Sequence, residues 1–131
     1  MRRHGLLNAE LLGVISAMGH TDTIVVADAG LPIPPGVTRI DLAVVPGVPS
    51  FLDVVRAVCD AGVFEAVTVA EELRERDASL ADAVRAAAGG AASEAVPHER
   101  LKEMSGRAVA VVRTGEFTPY ANAILHAGVP F

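Results

Sequence analysis

The sequence predicts a single α/β domain spanning residues 1–131, with a central mostly parallel or mixed sheet and helices on both faces. Three observations predict it. Helix-like and strand-like segments alternate along the chain, which is the pattern of a sheet covered by helices. The strand candidates are short β-branched runs, as in buried strands. No internal repeat and no linker long enough to divide 131 residues interrupts the alternation.

In order, Leu11, Val14, Ile15 and Met18 recur at helical spacing, with Asn8 as N-cap, Gly19 as stop and a Leu7–Leu12 staple. "TIVVAD" (23–28) reads as a buried strand, and the prolines of "AGLPIPPG" (29–36) make a loop. "TRIDLAVV" (38–45) is a second strand, and "PGVPS" turns the chain into a helix over 50–62. Ser50 caps that helix, Phe51, Val54, Val55 and Val58 line one face, and Gly62 ends it. "VFEAVTVA" (63–70) is a third strand. Residues 71–88 form one helix ending at Gly89-Gly90, and "HERLKEMSG" (98–106) a short one. "RAVAVVRTG" (107–115) and "ANAILHAGV" (121–129) are the last strands.

Composition narrows the function. Apolar residues make up 51% of the chain, yet no window nears the ~18 uninterrupted apolar residues of a membrane span. Glu10 breaks the N-terminal apolar run, so neither a signal peptide nor membrane insertion is expected. The surplus of apolar residues points to subunit interfaces. One cysteine, Cys59, excludes an internal disulfide and a cysteine-based zinc site, and fits a reducing cytoplasm. A net charge of −5, no Trp and one Tyr argue against nucleic acid. No phosphate-binding glycine motif, metalloprotease helix or nucleophile elbow is present. His20, Asp28 and His98 have no metal-ligand spacing, so no metal and no cofactor is expected.

Two stretches carry candidate chemistry. "GHTDTIVVADAGLPIP" (19–34) brackets a strand between His20 and Asp28. An imidazole can give or take a proton near neutral pH, and Asp22 could fix its tautomer. The alternative is a histidine favoured by the helix's C-terminal dipole. Asp28 either bonds the loop amides or accepts from a ligand's hydroxyls. A straight strand holds the two apart at ~3.3 Å per residue, so a shared site needs a sharp bend, neighbouring loops or a neighbouring subunit. "RTGEFTPYAN" (113–122) crowds Arg113, Glu116, Thr118, Tyr120 and Asn122 into an irregular segment around Gly115 and Pro119, as a pocket for a polyhydroxylated ligand requires. His98 also reads as an exposed first-turn residue, His4 as part of a frayed terminus, and His126 as a core or interface histidine.

"LLNAELLGVISAMGHTDTIVVADAGLPIP", "RIDLAVVPGVPSF", "AEEL", "PHERLK" and "VRTGEFTPYANAILHAGVPF" resemble the D-ribose pyranase family, part of the ribose pyranase and fucose mutarotase superfamily. The resemblance runs from Leu7 to Phe131. Fucose mutarotases are expected to differ in "GHTD" and "DAGLPIP", which favours the ribose branch. "AVRAAAGGAASEAV" (83–96) is this sequence's own, and His126 stands outside the family motif.

The resemblance implies a cofactor-independent intramolecular isomerase that interconverts the β-pyranose and β-furanose forms of D-ribose. It implies His20 as the catalytic proton donor, and Asp28, His98, Tyr120, Ala121 and Asn122 as sugar-binding positions. A cytoplasmic, ring-like homo-oligomer, a decamer, is implied as well. The alternatives are a non-catalytic sugar-binding accessory of ribose uptake and a mutarotase acting on a related aldose such as fucose.

Overall fold

A computed structural model describes residues 1–131. One six-stranded sheet organises the chain, built from β1 (Thr23–Ala27), β2 (Thr38–Asp41), β3 (Phe64–Ala70), β4 (Ala92–Val96), β5 (Ala110–Arg113) and β6 (Ala123–Ala127). The strand order is β2-β5-β1-β6-β3-β4. Every neighbouring pair is parallel except those of β6, which runs antiparallel to both β1 and β3. The expected mixed sheet is therefore five parallel strands with one reversed strand inserted near the middle.

The reversal has a functional consequence. In a parallel sheet, ligand-binding loops gather where the strands end. Because β6 runs backwards, the residues that precede it join the loops that follow β1, β4 and β5 at that same edge. The opposite edge carries the residues that precede β1 and β3 and follow β6.

Five helices complete the fold: α1 (Ala9–Ala17), α2 (Phe51–Ala61), α3 (Glu71–Arg76), α4 (Ala78–Ala87) and α5 (His98–Ser105). Ile24 to Ala27 of β1 are all buried, as they are when a strand is covered on both faces. Both predicted caps form: Asn8 Oδ1 accepts from the Leu11 amide at 2.9 Å, and Ser50 Oγ from the Asp53 amide at 3.1 Å. The predicted face of α2, Phe51, Val54, Val55 and Val58, is buried in the core. Cys59 beside it is partly buried. Loss of solvation, reinforced by Asp60, pushes its thiol up to about 11, so it stays protonated at neutral pH.

Four expectations are corrected. Helix α1 ends at Ala17 rather than at Gly19, and Leu7 is exposed, so no staple forms with Leu12. The strand expected over 38–45 stops at Asp41, because the Asp41 carboxylate accepts the Ala43 amide at 3.0 Å and turns the backbone. That bond, with the Arg113 guanidinium nearby, holds the Asp41 carboxyl below the usual range. Beyond it, Val44 donates its N–H to the Val48 carbonyl at 3.0 Å in a small hairpin.

The single helix expected over 71–88 is two, broken at Asp77. Its side chain does better capping α4, accepting from the Leu80 amide at 3.0 Å, than sitting inside a helix. Strand β4 was not expected at all. Ala92, Ser93, Glu94 and Ala95 have little strand propensity, and pairing with β3 supplies what local preference does not.

Candidate functional site

Asp28 follows β1 and Asn122 precedes β6, so the antiparallel pairing of these strands brings the two together. They form a reciprocal clasp: the Asp28 amide donates to Asn122 Oδ1 at 2.9 Å, and Asn122 Nδ2 donates to Asp28 Oδ2 at 3.1 Å. Asp28 Oδ1 also accepts from the Gly30 amide at 2.9 Å, so the loop-bonding role weighed for it is present. Asn122 is fully buried, whereas Asp28 borders an open depression of about 400 Å³ with Ala29, Gly30, Arg113, Glu116, Phe117, Thr118 and Pro119. That volume is of small-ligand size.

The rim is fixed by further bonds. The Arg113 Nε–H donates to the Ala29 carbonyl at 3.0 Å, and its Nη1 sits 3.2 Å from the Asp41 carboxylate. Thr114 Oγ1 donates to the Ala27 carbonyl at 2.8 Å, and the Ala29 amide to the Glu116 carbonyl at 2.9 Å. Gly115 lies under the 44–48 hairpin, where the Gly47 amide donates to its carbonyl at 2.6 Å. A Cβ at position 115 would come within 2.6 Å of the Val48 nitrogen and 2.7 Å of the Val45 oxygen, both backbone atoms. Gly115→Ala is therefore expected to lower unfolding stability by ~1–3 kcal/mol, since overpacking against backbone has no cheap relief. An unchanged denaturation midpoint would show that the hairpin shifts freely.

Tyr120, Ala121 and Asn122 form a tight turn. The Asn122 amide donates to the Tyr120 carbonyl at 2.8 Å, and Tyr120 takes φ +63°, a left-handed conformation that only surrounding contacts can maintain. One such contact is His98, whose ring meets the Tyr120 ring edge-on with centroids 4.9 Å apart. The Arg76 guanidinium lies 5.5 Å from the Tyr120 centroid on its own account. Glu72 accepts the His98 amide at 2.9 Å and so fixes the start of α5. His98 Nδ1 is buried and has no hydrogen-bond partner in the chain. A buried ring nitrogen without a partner costs free energy until a ligand or water supplies one.

Asp28, His98, Tyr120, Ala121 and Asn122 therefore lie along one sheet edge, and His20 does not. The Thr21 amide donates to the Ala127 carbonyl at 3.0 Å, and the Ala127 amide to the Asp22 carbonyl at 2.8 Å, which pins His20 at the far end of β6. A turn over Gly19–Asp22, with Thr21 at φ +73°, precedes β1 and leaves His20 at that end. From Asp22 to Asp28 the chain runs along β1, which separates the two on the order of 20 Å at ~3.3 Å per residue.

The surroundings expected for His20 are also corrected. The helix before it ends at Ala17, three residues ahead of His20. Asp22 does not fix the tautomer: its Oδ2 accepts from the Gly19 amide at 2.8 Å. The imidazole partner is Glu65, whose carboxylate oxygens lie 3.0 and 3.2 Å from His20 Nε2.

Glu65, Glu72 and Arg76 escaped the sequence reading because their partners lie far along the chain or across a helix break. His126, read as a core or interface histidine, has Nε2 2.9 Å from Thr68 Oγ1, which donates in turn to Glu94 at 2.9 Å. His4 is exposed near the N-terminus.

The model of the RbsD / FucU transport protein family matches residues 1–130. A D-ribose pyranase of Bacillus cereus (strain ATCC 10987 / NRS 248) is 53% identical over 131 residues, covering 100% of both chains, and one of Bacillus anthracis is equally similar. Among solved structures, Bacillus subtilis RbsD complexed with D-ribose superposes with a TM-score of 0.95 at 44% identity, covering all of both chains. The fucose mutarotase of Streptococcus pneumoniae, in complex with L-fucose, has a TM-score of 0.75 at 24% identity over 95% of this chain and 94% of its own, a likeness of fold.

Proposed function

The chain belongs to the RbsD / FucU transport protein family, and on that premise we propose that it is a D-ribose pyranase: an isomerase converting the β-pyranose and β-furanose forms of D-ribose into one another. End-to-end similarity to D-ribose pyranases supports the reaction, and the RbsD complex with D-ribose supports the ligand. The observation that carries the reading is the Asp28–Asn122 clasp beside an open depression, with the unpartnered His98 nitrogen along the same edge.

The chemistry needs only proton movement. As the pyranose opens, the anomeric hydroxyl loses its proton, the bond from C1 to the ring oxygen breaks towards oxygen, and that oxygen takes up a proton. Closure to the furanose reverses this at the 4-hydroxyl, which attacks C1 and gives up its proton while the carbonyl oxygen gains one. No electrons are exchanged with a cofactor. His20 is the group that gives and takes these protons, a role typically worth ~10²–10⁴-fold. Asp28, His98 and the Tyr120–Asn122 turn hold the sugar hydroxyls, with Asn122 acting through Asp28, since its side chain is buried in the clasp.

His20 and Asp28 stand at opposite edges of one sheet, so the complete site forms between two copies of the chain. One copy presents the Asp28 edge and its neighbour presents His20. The exposed apolar side chains of Val44, Val45, Val48 and Phe117, the last of them bordering the depression, are the kind of surface a neighbour covers. The proposed assembly is a ring-like decamer working in the cytoplasm.

The test is magnetisation exchange between the anomeric NMR signals of ribopyranose and ribofuranose, with and without protein. Accelerated exchange is expected. Line broadening without faster exchange would reduce the chain to a sugar binder, and no effect would remove the sugar.

A further inference from the structure

We propose that Glu65 is the positioning residue for His20, leaving Nδ1 as the nitrogen that exchanges protons with the sugar; this rests on the catalytic role of His20 proposed above. Both Glu65 carboxylate oxygens face Nε2, at 3.0 and 3.2 Å. A carboxylate only accepts, so Nε2 carries a hydrogen whether the ring is neutral or charged. Nδ1 has no partner in the chain. In the neutral ring it holds the lone pair. It takes a proton from a sugar hydroxyl to give an imidazolium, whose charge the Glu65 carboxylate faces, and the same nitrogen returns a proton to the oxygen left by bond breakage. Glu65 keeps its charge throughout.

The backbone around Glu65 is built for this placement. Phe64 pairs with Ala127 and Ala66 with His126, so Glu65 is the extra residue of an irregularity in β3 opposite two consecutive residues of β6. Such bulges re-aim a side chain and often lie beside active sites. Gly128 opposite leaves the space: a Cβ there would lie 3.2 Å from Glu65 Cβ. The Gly128 amide donates to the Val63 carbonyl at 2.9 Å, and the Thr21 amide to the Ala127 carbonyl at 3.0 Å. The approaches to β3 and β1 are thus both docked on the end of β6, which sets the distance between residues 65 and 20.

The pair is not there for stability. His20 and Glu65 side chains are 52% and 49% exposed, and exposed pairs contribute little to folding.

The test combines the full-chain variants Glu65→Ala and Glu65→Gln with ¹⁵N NMR of the His20 imidazole. In the parent, Nε2 is expected to show the protonated pattern, and ribose to shift Nδ1. Glu65→Ala should cut kcat about tenfold with KM within about twofold and no change in Tm, as loss of orientation does to proton transfer. Its neutral-ring nitrogens should move towards tautomer averaging. Glu65→Gln, whose amide oxygen still accepts from Nε2–H, should recover most of the lost kcat.

Parent-level kcat in Glu65→Ala, or a ribose response at Nε2 instead of Nδ1, would overturn the assignment. Were the parent itself to give no exchange, the pyranase reading would fall instead, and the ligand-free nitrogen pattern of Glu65→Ala would still decide whether Glu65 sets the tautomer.

Discussion

His20→Ala is expected to bring ribose exchange down to the spontaneous rate while the protein stays folded. The expected loss is ~10²–10⁴-fold in catalysed exchange, the usual worth of a positioned proton-transfer group. Stability should change by less than about 1 kcal/mol, because the one interaction lost is a half-exposed pair with Glu65 that water replaces. Ribose affinity should persist, since Asp28, His98 and the Tyr120–Asn122 turn lie at the other sheet edge. The checks are NMR exchange, thermal unfolding and ribose titration on one preparation. Parent-rate exchange in a folded variant would remove His20 from the chemistry.

Asn122→Ala should act in the opposite way, on structure and binding together. Asn122 is fully buried and makes two bonds to Asp28, one of them to a carboxylate. Truncation leaves the Asp28 amide without its acceptor and opens a small void. The expected cost is ~2–4 kcal/mol, combining an unsatisfied donor, a charge-assisted bond and a packing loss. For a chain of this size that lowers Tm by roughly 10 °C. Ribose affinity should fall about tenfold as the Asp28 carboxylate loses its fixed orientation. An unchanged Tm with normal affinity would show that the clasp neither holds the loop nor orients Asp28.

The helices were legible where side-chain chemistry decides locally. Asn8 and Ser50 cap as read, and α2 buries the face its spacing predicted. Legibility failed where a distant partner decides. Residues 92–96 are strand because β3 offers an edge, not because Ala and Glu prefer extension. Asp77 looked like one polar residue on a helix, yet its carboxylate gains more as a cap. Asp41 ended its strand through a bond to an amide only two residues away, a local signal overlooked among the surrounding β-branched residues.

At the site, the motif residues of one edge were recognisable, and strand length alone implied that His20 lies far from Asp28. Glu65 had no comparable signal. It sits 45 residues from His20, and the irregularity that aims it has no sequence period.

A site divided between copies is the central claim, and mixing two crippled variants tests it most directly. His20→Ala chains, without catalysed exchange, and Asn122→Ala chains, whose weakened binding leaves little exchange at subsaturating ribose, are co-assembled in equal amounts and assayed under that condition. Random assembly pairs an intact His20 with an intact Asn122 edge in about a quarter of the interfaces, so the mixture should regain about that fraction of parent activity. A co-assembled mixture no more active than Asn122→Ala alone would contradict a shared site.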